Sequence, residues 1–190
     1  MQSSGKAIIF SAPSGAGKTS IIKPLMGYYP QLELSVSATC RQPRPGETDG
    51  VEYHFITLRE FNQRRERGDF IEWEEVFPGI QYGTLRQEVE RIWSKGRVAL
   101  FDIDVKGAMN LKRAFGGNAI TIFIEPPSID ALRQRLESRG TESPEVIAKR
   151  LARAESEMAY AQRYDRRVVN DDLERAVQET VAIVGEFLGR

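Results

Sequence analysis

The sequence has one cysteine, Cys40, in 190 residues, so no internal disulfide framework can form and a reducing compartment suits it. Charge of one sign is also lacking: Lys plus Arg and Asp plus Glu number 27 each. No global field therefore draws the protein to nucleic acid or to a membrane surface, and any anion site must be local. Long hydrophobic runs are absent. The opening MQSSGKAIIF carries too short an apolar stretch for a signal peptide, and no later run approaches a membrane span. There is no internal repeat and no low-complexity tract. These absences point to a cytoplasmic protein of one domain, and 41% hydrophobic with 28% charged residues is the composition of an ordinary globular chain.

What is present is an alternation of two periods. Residues 7–10 (AIIF), 98–103 (VALFDI) and 119–124 (AITIFI) are short continuous apolar runs, as expected of strands buried on both faces in a parallel sheet. Each precedes a segment with helical signals, which predicts an α/β fold with helices on both faces. Thr57-Leu-Arg-Glu60 and Thr84-Leu-Arg-Gln87 read as capping boxes opening helices over 57–67 and 84–96, closed by Gly68 and Gly96. Ser143 and Pro144 open a helix to 163. A last helix from about Leu173 places Val177, Val181, Val184 and Leu188 on one stripe. Between them, the loosely alternating LELSVSATCRQPRPGETDGVEYHFI predicts a small, turn-rich antiparallel insertion outside the main sheet. Residues 128–163 are helical, Arg-rich and broken by SRGTESP, as in a hinged flap.

The sharpest motif follows the first strand: Ala12-Pro13-Ser14-Gly15-Ala16-Gly17-Lys18-Thr19. It matches the phosphate loop G-x-x-x-x-G-K-[ST] between strand and helix, with Ala12 in the place of the first glycine. Ala12 fits only if that position avoids positive φ. Inward-facing N–H groups and the helix N-terminus would cradle phosphates; Lys18 would supply a point charge and the Thr19 hydroxyl would hold Mg²⁺. Pro24 predicts that the following helix is short or kinked.

A second group of residues suggests an acceptor. Arg41 and Arg44 lie three apart in a Pro-restricted segment and suit a phosphate, with the Tyr53 hydroxyl as a further donor. Glu72 stands among apolar and aromatic residues, with Tyr82 and Thr84 close behind. A buried carboxylate there would select guanine, whose N1–H and N2 amino group are adjacent donors. Thr84 fits an N-cap as well as it fits a ligand. Asp102 and Asp104 end a strand at its carboxyl edge, where α/β proteins bind ligands; spaced Asp-x-Asp, they would share a side of that strand. His54 reads as structural, Trp73 and Trp93 as core or pocket wall, and Arg133, Arg163 and Arg166 as solvated charges.

The chain resembles the guanylate kinases, ATP:GMP phosphotransferases of the nucleoside monophosphate kinase group. The resemblance runs through the phosphate loop, ATCRQPRPGETDGVEYHF, FIEWEE, YGT, FDIDVKG, IFIEPPS, RLESRGTE and VVNDDLE, in order and over nearly the whole chain. It implies a core at about 5–34, 85–127 and 164–190, a small mixed-β GMP-binding lobe at about 35–84 and a helical lid at about 128–163. It further implies that Ser37, Arg41, Arg44, Tyr53 and Tyr82 contact the GMP phosphate and that Glu72, Thr84 and Asp104 line the guanine pocket. Arg135, Arg139 and Arg150 match lid arginines, Asn170 a position near the ATP adenine, and Asp102 is a second candidate ligand for Mg²⁺. Substrates would be ATP and GMP, in a monomer or homodimer. Cys40 replaces the family's usual hydroxyl residue, and Thr84 its common serine. Two alternatives are a non-catalytic guanylate-kinase-like scaffold, which would lack Lys18, and a P-loop kinase for ribose 1,5-bisphosphate, which would lack the guanine-matched residues.

Overall fold

In the computed structural model, which describes residues 5–138, 140 and 143–189, the first strand lies at the centre of everything else. The chain runs β1 (Ala7–Ser11), α1 (Lys18–Tyr28), β2 (Leu32–Leu34), β3 (Ala38–Thr39), β4 (His54–Phe55), α2 (Leu58–Glu66), β5 (Phe70–Phe77), β6 (Ile80–Leu85) and α3 (Arg86–Ser94). It continues through β7 (Val98–Asp102), α4 (Val105–Phe115), β8 (Ala119–Glu125), α5 (Ile129–Ser138), α6 (Pro144–Met158), β9 (Arg166–Val169) and α7 (Leu173–Leu188). The main sheet has the order β2-β7-β1-β8-β9 and is parallel throughout. All five residues of β1 are buried. The strand's two-residue period sends Ile8 and Phe10 into an apolar cluster with α1 and α7, and Ala7 and Ile9 into another with α3 and α4. Burial on both faces is what the unbroken apolar runs predicted.

A second sheet, ordered β4-β3-β6-β5, is mixed: β3 pairs with β4 in parallel and with β6 antiparallel, and β5 and β6 are antiparallel. The expected insertion is therefore neither purely antiparallel nor as long as read. Its first residues, Leu32–Leu34, pair with β7 at the edge of the main sheet. The small sheet has its own cluster, in which Phe61 of α2 stacks on Phe70 of β5 with ring centroids 4.4 Å apart. Helices α5 and α6 form a third cluster around Leu132, Leu136, Ile147 and Leu151.

Helix boundaries follow local chemistry, with two departures. Thr57 caps α2 by accepting the Glu60 N–H, and Gly68 closes it at φ 74°. Thr84, in contrast, is no cap: it pairs with Glu72 inside β6, and α3 starts only at Arg86 with no side-chain cap. Cross-strand pairing outcompeted the box. Helix α6 stops at Met158, short of the expected 163, before a 3-10 turn at Ala161–Arg163. Pro24 lies inside an eleven-residue α1 that runs past it to Tyr28. Trp73 is 39% exposed and carries the Arg65 guanidinium 4.8 Å above its ring, so it belongs to the outer surface and not to a core. Trp93 packs against the α3–α4 cluster as expected.

Candidate active site

The loop after β1 sits at the carboxyl edge of the central strand, where neighbouring strands diverge and leave a crevice. Gly15 and Gly17 both have φ 95°, and among the described residues no non-glycine has positive φ. Ala12 therefore carries no strain, and the missing first glycine is accounted for. Gly17 is needed for space as well as for φ, since a Cβ there would stand 2.2 Å from Asn170 Nδ2. Asn170 is 5% exposed and donates that amide to the Ala16 carbonyl at 2.7 Å. The structure thus places Asn170 behind the loop, holding it. The Asn170 carbonyl in turn accepts Arg135 Nη2 at 2.7 Å, which ties α5 to the same point.

Lys18 opens α1 and forms an ion pair with Asp102, the last residue of β7. Thr19 and Ser20 follow on the exposed side of the first turn. The strand ends at Asp102, so Asp104 lies beyond it, although both aspartates line the same cleft. Asp104 instead caps α4, accepting the N–H groups of Lys106 (2.8 Å) and Gly107 (3.1 Å).

A cleft of about 880 Å³ joins this loop to the small sheet. At one end lie Ala12 to Gly15, Gly17, Lys18 and Thr19; at the other lie Ser37, Arg44, Tyr53, Glu72, Tyr82 and Asp104. Lys149, Arg150, Arg153 and Glu157 of α6 face it from a third side, with Arg150 hydrogen-bonded to the Ser14 hydroxyl. Arg41 and Thr84 stand just behind the wall. Arg139 lies outside the described residues.

Glu72 is 6% exposed. Burial is the largest influence and pushes its carboxyl up to about 7; the Thr84 hydroxyl opposes that shift and the nearby Asp104 charge adds to it. Room for the carboxylate comes from Gly107, where a Cβ would lie 3.0 Å from Glu72 Oε2. Tyr53 and Tyr82 meet edge to face at 5.5 Å, and the Arg41 guanidinium lies 5.2 Å from the Tyr53 ring. Burial raises the Tyr53 phenol, so its proton stays available for donation.

The sequence reading missed three groups. Glu47 grips Arg41 through two 2.7 Å hydrogen bonds, and its only sequence signal was an acid inside a basic loop. Arg153 and Glu157 pair at i,i+4 on the cleft side of α6, where helical spacing from Arg150 could have exposed them. Gly107 resembled any helix glycine until its neighbour was known.

A phosphate loop on the central strand, facing an anion-ready and acid-lined pocket across one cleft, defines a P-loop phosphotransferase with room for two substrates. Its resemblance to known proteins makes this particular. The guanylate kinase family model matches residues 4–186. A guanylate kinase from Bacteroides thetaiotaomicron is 50% identical over 189 residues, covering 100% of this chain and 93% of the relative. One from Salinibacter ruber is 52% identical over 181 residues, covering 95% and 96%. The crystal structure of guanylate kinase from Anaplasma phagocytophilum superposes with a TM-score of 0.75 at 30% identity, over 95% of this chain and 84% of that one. The chain belongs to the guanylate kinase family.

Proposed function

We propose that this protein transfers the γ-phosphoryl group of Mg-ATP to GMP, giving ADP and GDP. The observation that carries the reading is Glu72, a buried acid opening on the same cleft as Lys18. Ionised, it accepts the two adjacent donors of guanine; adenine offers an acceptor at N1 and leaves the acid unsatisfied. Asp104 and Thr84 complete that pocket. Thr84 does so by orienting Glu72, with its hydroxyl 2.7 Å from Oε1.

The attacking group is a phosphate oxygen, already anionic, so the protein needs no strong base. Its task is to bring two polyanions into line and balance their repulsion. The backbone of residues 12 to 19 and Lys18 hold the donor phosphates. Arg41, Arg44, Ser37, Tyr53 and Tyr82 receive the acceptor phosphate, Arg41 from just behind the wall that the other four line. Arg135, Arg139 and Arg150 serve as lid cations that converge on the phosphoryl group as α5 and α6 close and water leaves. The Thr19 hydroxyl and Asp102 are hard oxygen donors, and no cluster of three or more His, Cys, Asp or Glu that could hold a metal is found among the described residues. That sparse set fits Mg²⁺, which keeps waters and binds mostly through phosphates. When bound with ATP, it offsets charge on the β- and γ-phosphates.

No helix among the described residues is long and apolar enough to cross a membrane. We assign the activity to the cytoplasm, on the single cysteine and the balanced charge. A coupled assay offering GMP, dGMP, AMP and ribose 1,5-bisphosphate with Mg-ATP tests the reading. Turnover with GMP well above AMP is expected, and equal turnover with AMP, or turnover with ribose bisphosphate alone, overturns it.

A further inference from the structure

The chain crosses from the main sheet to the small one at Ser35, Val36 and Ser37. Ser35 still follows β2, donating its N–H to the Leu100 carbonyl of β7 at 2.8 Å. Ser37 already belongs to the small sheet, where its carbonyl accepts the His54 N–H at 2.9 Å and its neighbour Ala38 opens β3. Val36, between them, bonds to a side chain: its N–H donates to Glu88 Oε1 at 3.1 Å. Glu88 stands in the first turn of α3, just beyond the return crossing, where β6 ends at Leu85 and α3 begins at Arg86. One carboxylate thus reaches from beside one crossing to the other.

The acid is held firmly. Glu88 is 7% exposed, and Arg91 grips it with Nε on Oε2 at 2.8 Å and Nη2 on Oε1 at 2.9 Å. Arg91 Nη1 reaches Glu33 of β2 at 2.5 Å, and Lys95 adds a second bond to the same oxygen at 3.1 Å. Burial opposes the charge on Glu88, yet Arg91 and the Val36 N–H outweigh it and hold the carboxyl below the ordinary 4.5. Helix α3 is itself fixed to the core through Val89 and Ile92, both buried. An exposed i,i+3 ion pair would contribute little. A buried carboxylate on a remote backbone donor is a fastening, because losing the acid leaves that donor unsatisfied.

The fastening matters because of what it joins. The phosphate loop follows the central strand of the main sheet, whereas Ser37, Tyr53, Glu72 and Tyr82, which line the other end of the cleft, belong to the small-sheet lobe. How the two ends stand to each other is set by the two crossings and by β5 on α4, where Asn110 donates to Glu74 at 2.9 Å. We infer that Glu88 is a positioning residue for phosphoryl transfer, clamping Val36 so that the acceptor lobe is held in line with the phosphate loop. In-line transfer tolerates little error: a misplacement of about 1 Å costs up to about 100-fold in rate.

The inference rests on the proposed GMP kinase reading, and a wild type that phosphorylates no GMP would remove both before any variant is made. Wild type, Glu88→Ala, Glu88→Gln and Arg91→Ala are compared for kcat and for affinity of GMP alone and of a non-hydrolysable ATP analogue alone. A third ligand is a pentaphosphate joining adenosine to guanosine, which must fill both sites at once. Glu88→Ala is expected to lower kcat and to weaken the joined ligand by about tenfold or more, because both need the two ends correctly set. Each single nucleotide should keep its affinity within about threefold, since the lobe itself carries the proposed acceptor residues other than Asp104. Glu88→Gln keeps an oxygen for the Val36 N–H and should restore most of kcat. Arg91→Ala leaves Glu88 without its brace, should fall between, and carries the comparison if Glu88→Ala fails to fold. Unchanged kcat in Glu88→Ala with a lowered melting temperature overturns the inference and makes the acid a purely structural one. Equal weakening of GMP alone and of the joined ligand also overturns it, as does a glutamine variant no better than alanine.

Discussion

Thr84 gives both its backbone N–H, at 3.0 Å, and its hydroxyl, at 2.7 Å, to one oxygen of Glu72, leaving the other oxygen to the cleft. The pair sits in register across β5 and β6, so sheet geometry, and not a loop, aims the acid. Such a carboxyl trades stability for recognition. Its native value of about 7 lies above the ordinary 4.5, because burial disfavours the charged form. The native state therefore binds the proton more tightly than the unfolded chain. Stability falls as pH rises from about 4.5 through about 7, by on the order of 3 kcal/mol in total. Glu72→Gln should gain in melting temperature over wild type as pH goes from 5 to 8. A constant difference across that range would show that the acid does not titrate there.

The same titration governs recognition, in the opposite direction. Guanine needs the ionised form, so guanosine should inhibit less well as pH falls below about 7, its Ki rising up to about tenfold per pH unit. Guanosine is the better probe because the second ionisation of a phosphate, near 6, would overlap in GMP. Competition kinetics between pH 5.5 and 8 measure this directly, and a flat profile contradicts the assignment of Glu72 to the base.

Lys18 is ion-paired with Asp102, and its side chain is only 18% exposed. Its charge is thus stored beside the reaction site. Lys18→Ala should lower kcat by about 10³-fold or more, as loss of a charge aimed at the transition state does. The melting temperature should move little, because a partly exposed ion pair contributes under about 1 kcal/mol. Turnover within about tenfold of wild type would show that the loop lysine is dispensable.

The sequence was legible where one force acted alone. Continuous apolar runs gave β1, β7 and β8 because burial on both faces leaves no room for alternation, and the phosphate loop was legible because glycine, lysine and threonine are each required there. Strand β9 was not marked, since Arg166 and Arg167 make an edge strand look like a solvated segment. Thr84 was ambiguous because a cap and a cross-strand donor draw on the same hydroxyl, and only the register with Glu72 decides between them. Glu47 was invisible for a related reason. Its meaning comes from a turn that returns it to Arg41, six residues earlier, and no periodic pattern encodes that return.

Asn170 separates support of the phosphate loop from chemistry on it. Its amide reaches the Ala16 carbonyl from across the sheet while its own N–H donates to Glu125, so it spans from β8 to the loop. Asn170→Ala removes a buried partner and should cost about 1–2 kcal/mol of stability. It should also raise KM for ATP several-fold while leaving KM for GMP within about twofold, because only the donor cradle loosens. Gly17→Ala acts on the same contact from the other side and should be worse. Its Cβ would displace the Asn170 amide, and φ 95° is unfavourable for any residue with a side chain. Initial rates over an ATP and GMP grid with both variants resolve the two Michaelis constants. A matching rise in both for Asn170→Ala would mean that the cleft as a whole, and not the donor loop, depends on this amide.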